Sequence, residues 1–580
     1  MAISRRTVLK AAAAAAVISP GATLSMVERA VAATSPATLG RILRPGKPGP
    51  GGYLRLEPRA GEPHIVRTDL VGDSNSPGKR ARQPLLAFAH MSDVHIVDHQ
   101  SPMRLEWADR LEDPPEDADL TPGLFAAAYH PQEILTAHVA EAMVQAINSY
   151  RRGPATGTPL SFAIQTGDNS DNSQYNETRW NIDILDGKAI RPDSGSPVSY
   201  EGVMDSRRAF YDRHYWHPDG APPGRHDDYP ISRHGFPTVP GLLDAAREPF
   251  AASGLTMDWF TAFGNHDGLA QGNFPQTLQL SLLAQGALKI TSLPTGISQA
   301  MLLEALRNGD LPGLLHDVLT NGEPWVRAVT PDRNRRFLSK RQIVDEHFRT
   351  GGTPVGHGYT RQNRDSGTAY YYFDRGPIRC IVLDSVNANG YSGGSIDAAQ
   401  YAWFTELVGS TADKAIIVFS HHTSDTMNNP LIATGADLAP RVLGHEVVRF
   451  LLEHPNVIAW INGHTHANRI MAHSRADGTA GFWEINTAAH IDYPQQARLI
   501  EVTDNRNGTV SIFSTVIDHA APAGFDGDLS SVTSLAALSR EIALNDWQVD
   551  ASDNAGGASD RNAELVVPTP PGLRGATTVQ

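Results

Sequence analysis

The stretch Ala459-Trp460-Ile461-Asn462-Gly463-His464-Thr465-His466 joins an apolar run to a polar turn. The apolar residues from Val457 to Ile461 predict a buried strand, and Gly463 predicts a tight turn at its end. The turn carries two histidines one residue apart, and alternate side chains of an extended or turning backbone point in different directions. The pair therefore suits two ligands of two adjacent metal ions better than two ligands of one ion.

A single His-x-His turn is weak evidence, since such turns are common on protein surfaces. However, four other apolar strands end in polar residues of the same kind: Leu85–Met91 before Asp93 and His95, Ser161–Thr166 before Asp168 and Asp171, Trp259–Phe263 before Asn265 and His266, and Ile416–Ser420 before His421 and His422. Ligands of open α/β sheets bind beyond the carboxyl ends of the strands. Five such strand ends in one chain predict that their polar side chains meet in one site.

Strands alternate with helical segments along most of the chain, which predicts the α/β class. The length of 580 residues and the 41% of hydrophobic residues are enough for a large core in one or two domains. The formal net charge of −14 argues against a protein that coats nucleic acid, because phosphates would be repelled. The same charge is compatible with a small phosphorylated substrate held by metal ions.

The N-terminus reads Ser4-Arg5-Arg6-Thr7-Val8-Leu9-Lys10, followed by an alanine-rich apolar run and small residues up to Ala33. This pattern is typical of a twin-arginine signal, so residues 1–33 predict export to the cell envelope or the exterior by the twin-arginine machinery. The alternative is a membrane-anchoring helix, but the run is short and weakly apolar. No other segment resembles a membrane span, so we expect no permanent span.

The domain organisation follows from shifts in composition. Residues 34–83 are rich in glycine, proline and arginine and predict an irregular lead-in. Residues 84–520 contain the strands and helices of the predicted domain, with inserts at about 187–252 and 268–363. Residues 521–580 are polar and predict a partly disordered C-terminal tail.

Five motifs occur in a fixed order in this domain: Asp93-Val94-His95, Gly167 through Asp171, Gly264 through Asp267, His421 at a strand end, and Gly463 through His466. This set resembles the signature of the calcineurin-like metallophosphoesterase superfamily, from about Leu85 to Asp518. Only the strands and motifs match, while the inserts do not. With its N-terminal signal, the chain resembles a secreted bacterial subgroup. The resemblance implies a β-sandwich flanked by helices, in an α/β/β/α arrangement.

The resemblance also implies roles for the motif residues. It places Asp93, His95 and His466 on one metal ion, and Asn265, His421 and His464 on the other, with Asp168 and a hydroxide bridging the two. The family pattern favours His421 as the ligand, although the adjacent His422 leaves that choice open. It makes His266 a general acid oriented by Asp171, for which the alternative is a structural histidine beside the metals.

The implied chemistry is hydrolysis of a phosphate monoester or diester by the bridging hydroxide. Two cations roughly 3.5–4 Å apart activate water and hold phosphate oxygens during in-line displacement. Carboxylate, amide and imidazole ligands suit divalent or trivalent Mn, Fe or Zn and not Ca. Purple acid phosphatases carry a tyrosine ligand where this chain has Asp171, so we expect no purple enzyme.

Three alternatives remain at this point. A phosphodiesterase acting on nucleotides or phospholipid head groups would use the same motifs. An inactive secreted binding protein on this scaffold would have lost a ligand, and none is lost here. A mononuclear zinc hydrolase would use a His-Glu-x-x-His helix, which the sequence lacks.

Overall fold

The computed structural model describes residues 37–72, 82–110, 128–292, 297–307, 310–321, 326–432, 438–475, 481–549 and 551–574. The strands are β1 (Arg41–Pro45), β2 (Leu56–Ala60), β3 (Ile65–Arg67), β4 (Gln83–Met91), β5 (Phe162–Gln165), β6 (Ala189–Ile190), β7 (Phe250–Ala251), β8 (Asp258–Thr261), β9 (Leu288–Ile290), β10 (Val326–Ala328), β11 (Tyr371–Arg375), β12 (Ile378–Val382), β13 (Ala415–Phe419), β14 (Val457–Asn462), β15 (Arg469–Ser474), β16 (Gly481–Asn486), β17 (Gln496–Asp504), β18 (Thr509–Asp518) and β19 (Ala563–Pro568).

The longer helices are α1 (Thr136–Ser149), α2 (Tyr175–Leu185), α3 (Tyr229–His234), α4 (Leu278–Gln285), α5 (Gln299–Arg307), α6 (Leu311–Asn321), α7 (Lys340–His347), α8 (Arg361–Ser366), α9 (Ala398–Ser410), α10 (Gly444–Leu452) and α11 (Val532–Leu544). Short helical turns lie at Pro50–Gly52, Glu106–Asp109, Pro131–Leu135, Leu242–Ala245, Asn265–Gly268, Arg333–Arg335, Ala551–Ala555, Ala558–Arg561 and Pro571–Arg574. Within the described residues, no helix combines the length and the apolar character needed to cross a membrane.

Two sheets form the centre of the molecule. The seven-stranded sheet has the order β3-β19-β18-β17-β4-β5-β8, and the six-stranded sheet has the order β11-β12-β13-β14-β16-β15. Strands β4, β5 and β8 are parallel neighbours in the first sheet. Strands β12, β13, β14 and β16 are parallel neighbours in the second. Each of the five predicted motifs follows one of these parallel strands.

The two sheets pack face to face because their strands present apolar side chains to both faces. In β13, Ile417 and Phe419 join Phe88 of β4 in the core between the sheets. The intervening residues Ile416 and Val418 point to the other face and pack with helices α9 and α10. This alternation is the two-residue period of a strand that is buried on both sides.

Helices also cover the outer face of the first sheet. Met143 and Ile147 of α1 and Ile182 of α2 pack against apolar residues of β4 and β8, including Met91 and Trp259. The molecule is therefore layered as helix, sheet, sheet and helix. The predicted α/β class and the sandwich flanked by helices are confirmed.

The ends of the domain are more ordered than the composition predicted. The lead-in contains three strands, of which β1 pairs with β2 and β3 pairs with β19. The predicted polar tail is wrong for most of its length. Leu535, Leu538 and Ile542 of α11 are buried at helical spacing, and β19 lies in the seven-stranded sheet beside β18. The polar residues that flank these two short apolar segments concealed them.

The first insert is closed at its base, where β6 pairs with β7. Inside it, Tyr215, Trp216 and Phe236 form a small core with Leu535 and Leu538 of α11. The second insert contains α4 to α7 and the start of α8, and β9 and β10 form a short antiparallel pair. Both inserts are thus packed parts of the domain.

Candidate metal centre

The five motifs meet where the parallel strands of both sheets end. The loops that carry the motifs lie so close together that two of their glycines have no room for a side chain. A Cβ atom on Gly463 would lie 1.7 Å from Oγ of Ser92, and one on Gly264 would lie 2.1 Å from the backbone nitrogen of Asp168. Glycine at position 463 lets loops of the two sheets touch, and glycine at position 264 lets two loops of the first sheet touch, which brings the predicted ligands together.

Several of the predicted ligands adopt an uncommon backbone conformation. Five have positive φ angles: Asp93 (51°), His95 (44°), Asp168 (51°), His464 (71°) and His466 (57°). Non-glycine residues rarely adopt such angles, and they persist only where surrounding contacts enforce them. This conformation is confined to the ligands that follow β4, β5 and β14.

The first group of donors surrounds Asp93. Nε2 of His466 lies 3.5 Å from Oδ1 of Asp93, and the Asp93 carboxylate accepts hydrogen bonds of 3.0 Å from the backbone N–H of His464. Nε2 of His95 lies 3.6 Å from Oδ2 of Asp168. Asp93, His95 and His466 present one donor atom each within metal-binding range of one another. They are the three residues that the resemblance assigns to one ion.

The second group of donors surrounds Nε2 of His421. That atom lies 2.8 Å from Oδ1 of Asn265, 3.1 Å from Oδ2 of Asp168 and 3.1 Å from Nδ1 of His464. Asn265, His421 and His464 are the three residues assigned to the second ion. Asp168 touches both groups, as expected of a bridging carboxylate.

The candidate ligand atoms suit metal ions because their lone pairs point toward one another. Nδ1 of His421 contacts the carbonyl oxygen of Thr166, and the amide Nδ2 of Asn265 donates to Gly272. The atoms that remain, Nε2 of His421 and Oδ1 of Asn265, are both acceptors in the neutral side chains. Nε2 of His95 is buried without a hydrogen-bond partner among the described residues. A cation between these atoms would satisfy all of them.

The two adjacent histidines, His421 and His422, differ in their hydrogen bonds. Nδ1 of His422 lies 2.7 Å from Oγ of Ser385, and Nε2 lies 2.7 Å from the carbonyl oxygen of Ser392. Both ring nitrogens are thus engaged away from the acidic residues. Although His422 lies close enough to His421 and His464 to join a metal-binding group, these contacts favour His421 as the ligand.

The charges of the centre depend on one another. Burial disfavours the charge of Asp168, but His421 and His266 hold the pKa of this carboxyl well below its usual range. Burial likewise works against protonation of His466, yet Asp492 and Asp93 raise its pKa well above the ordinary value. Positive charge beside Asp93 and Asp168 is therefore favourable, which suits a site for cations.

His266 lies beside the donors and contacts Asp171 as predicted, but mainly through the backbone. Its Nδ1 is 2.7 Å from the carbonyl oxygen of Asp171 and 3.4 Å from the carboxylate. The Asp171 carboxylate lies nearer to Nδ1 of His95, at 3.0 Å. Burial lowers the pKa of His266, but Asp168 and Asp171 outweigh it and raise the value to about 9.

Two residues that support the centre were missed in the sequence. Asp492 lies 2.6 Å from Nδ1 of His466 through its carboxylate, an arrangement that orients a metal-bound imidazole. It follows β16, which is parallel to β14, but it lies beyond the residues that directly follow the strand, so the strand-end pattern did not include it. Arg104 pairs with Asp171 and Glu133, and it follows no strand, so no pattern identified it.

Comparison with known proteins finds solved structures that are distantly similar to this chain. No family model and no curated protein matches it. It is similar to a solved dimetal phosphatase from Danio rerio, with a TM-score of 0.30 and 12% identity over 75% of this chain and 99% of that one.

Two further solved structures are similar at the same level. The chain is similar to a purple acid phosphatase from yellow lupin (Lupinus luteus), with a TM-score of 0.25 and 9% identity over 80% of this chain and 55% of that one. It is also similar to the calcineurin-like phosphoesterase YfkN from Bacillus subtilis, with a TM-score of 0.24 and 12% identity over 76% and 92%. These scores are low, so the assignment of the fold depends on the strand order and the core described above.

Proposed function

We propose that this chain is an exported, binuclear metal-dependent phosphoesterase that hydrolyses a phosphate monoester or diester. One observation carries the proposal: Nε2 of His421 faces the acceptor atoms of Asn265 and Asp168 at 2.8 and 3.1 Å. Equally important, Asp168 also faces His95, so one carboxylate serves two groups of donors. Such a pair of adjoining sites is the arrangement that binuclear phosphoesterases use.

The residues of the centre would have separate roles. Asp93, His95 and His466 would hold one ion, Asn265, His421 and His464 the other, and Asp168 both. When bound, two Mn, Fe or Zn ions activate water and neutralise the charge of the phosphoryl oxygens. Burial lowers the pKa of His266, but Asp168 and Asp171 outweigh it and raise the value to about 9, which favours the protonated form that would donate a proton to the leaving alkoxide.

The cellular setting is part of the same proposal. The twin arginines Arg5 and Arg6 lie outside the described residues, and they would direct the folded chain to the twin-arginine export machinery. The substrate would be a small phosphorylated molecule in the cell envelope or the exterior. Replacing both arginines by lysine should leave folded, unprocessed chain inside the cell, and unchanged secretion would contradict export by this route.

The test of the activity is elemental analysis of the purified protein combined with a panel of phosphoesters. The panel includes monoesters, diesters, nucleotides and phospholipid head groups, each assayed with Mn, Fe or Zn. We expect two metal ions per chain and metal-dependent release of the alcohol from at least one class. Two bound ions without hydrolysis of any phosphoester would favour an inactive binding protein, and a single ion per chain would contradict the binuclear centre.

A further inference from the structure

A cavity of about 100 Å³ adjoins His266 on the side of the centre formed by the second insert. Half of its lining residues are polar and lie in or beside the metal centre: Arg104, Asp171, His266, Gln271 and Asn273. The other half consists of apolar side chains: Leu105, Ala108, Ala128, Phe274 and Leu302. The cavity therefore has one reactive end and an apolar remainder.

The polar side chains of the lining are largely engaged with one another. Arg104 pairs with Asp171 and with Glu133, and Nε2 of Gln271 donates to Asp171 at 3.2 Å. Nδ2 of Asn273 donates to the carbonyl oxygen of Gln271 at 2.8 Å. Nε of Arg104 is buried and lacks a partner among the described residues. The polar end of the cavity is thus largely paired within the protein, and the remaining walls are apolar.

The position of His266 determines which part of a substrate would enter the cavity. Nδ1 of His266 is engaged by the carbonyl oxygen of Asp171, so Nε2 is the nitrogen that remains for the leaving oxygen. The phosphoryl group would lie on the side of Asp168, whose Oδ1 accepts a 2.8 Å hydrogen bond from the His266 backbone. The carbon attached to the leaving oxygen would then continue away from the metals, past His266.

We propose that this cavity binds the alcohol part of the substrate, and that the preferred substrates are phosphoesters of short, apolar alkyl alcohols. The inference rests on the proposed function and adds a substrate class to it. A cavity of roughly 150 Å³ accommodates benzene, so one of about 100 Å³ suits an alkyl group of roughly four carbons. Sugars and nucleosides would lose water from several hydroxyl groups and find few partners in exchange.

The experiment uses the metal-loaded full chain and two substrate series, alkyl phosphates and methyl alkyl phosphates, with alkyl groups from methyl to butyl. Glycerol phosphate serves as the polar match for the propyl ester. We expect kcat/KM to rise roughly threefold for each added methylene, because each one leaves water for an apolar wall. Propyl phosphate should exceed glycerol phosphate by about tenfold or more. Equal values along both series would overturn the proposal.

Two variants test the walls, at positions that are half-buried and therefore tolerant. Ala128→Leu fills the cavity and should lower kcat/KM for the butyl ester by roughly tenfold, with the methyl ester changed less than about twofold. Phe274→Ala enlarges it and should extend the preference to hexyl esters. Ala402→Leu on the exposed side of α9 is the matched control. Proportional effects of Ala128→Leu on methyl and butyl esters would contradict the assignment of the cavity.

A binding measurement separates failure of this inference from failure of the proposed function. Saturation-transfer NMR with 1-butanol and with glycerol, at equal concentrations, reports occupancy without any turnover. We expect a butanol signal in the parent that exceeds the glycerol signal and falls severalfold in Ala128→Leu. If no phosphoester is cleaved, this result would still support an apolar alcohol site. An equal butanol signal in the parent and the variant would overturn it.

Discussion

The side-chain oxygen of Asn265 lies 2.8 Å from Nε2 of His421, and the two residues follow strands of different sheets. The other polar atoms of both side chains are engaged by Gly272 and Thr166, so two acceptors face each other. This contact is unfavourable unless a positive charge lies between them. Burial lowers the pKa of His421, but Asp168 outweighs it and raises the pKa, so positive charge is favoured at this position. A metal ion at this position would satisfy the same atoms.

Removal of Asp168 should empty both halves of the centre, because its carboxylate faces His95 as well as His421. We expect Asp168→Ala to lose both metal ions and nearly all activity. Elemental analysis of the purified variant measures the metal content. Asp228→Ala, which removes a buried carboxylate that caps α3 through Ile231, is the control and should keep both ions. Full binuclear occupancy in Asp168→Ala would contradict the bridging role.

Asp492 should act through His466 without touching a metal. Its carboxylate lies 2.6 Å from Nδ1 of His466, so it fixes the orientation of the ring and the proton on the nitrogen away from the metals. We expect Asp492→Asn to weaken metal binding roughly 10- to 100-fold, chiefly for the ion shared with Asp93 and His95. Titration with a competing chelator measures the affinity. An unchanged affinity for both ions would show that His466 holds its orientation without this carboxylate.

The pair formed by His130 and Asp546 should make stability depend on pH. The two lie 2.6 Å apart and are buried; burial lowers the pKa of His130, but Asp546 outweighs it and raises the value to about 10. The unfolded value is about 6.5. The stabilisation is therefore complete below about pH 6.5 and is lost as the pH rises through about 10, a change of a few kcal/mol.

The measurement is chemical unfolding of the parent and of His130→Gln at pH 6, 8 and 10. The difference in unfolding free energy between the two proteins should be largest at pH 6 and should shrink toward pH 10. His214→Gln is the matched control, because His214 pairs with Asp212 on a partly exposed surface and should contribute little. A difference that stays constant over this range would mean that His130 is not held in its charged form.

The parts of the fold that the sequence predicted are those encoded over short distances. Each ligand strand is an apolar run, and each predicted ligand follows its strand within a few residues, as with Phe419 and His421. The missed parts depend on contacts between distant segments. Asp492 contacts His466 only because β14 and β16 are neighbours, and β19 is a strand because an edge of β18 is available to it. The six residues of β19 were too few to stand out among polar neighbours.

His266 provides the sharpest test of the chemistry. Nδ1 is held by the carbonyl oxygen of Asp171 at 2.7 Å, and the side chain is partly exposed beside Asp168. If His266 protonates the leaving oxygen, His266→Asn should keep both metal ions and lower turnover by roughly 10²–10⁴-fold for alkyl esters. The loss should be much smaller for nitrophenyl esters, because nitrophenolate departs without a proton.

The comparison of leaving groups separates a general acid from a residue that positions the phosphate. A positioning residue contacts the part that all esters share, so its removal lowers kcat/KM equally for alkyl and nitrophenyl esters. Ser173→Ala is a useful control. The Ser173 hydroxyl donates its proton to the backbone carbonyl of His266 at 3.0 Å and does not donate to the substrate. We expect Ser173→Ala to affect both kinds of ester alike, and His266→Asn to affect alkyl esters far more. Equal losses in His266→Asn would assign that residue to positioning and leave the leaving oxygen to be protonated from water.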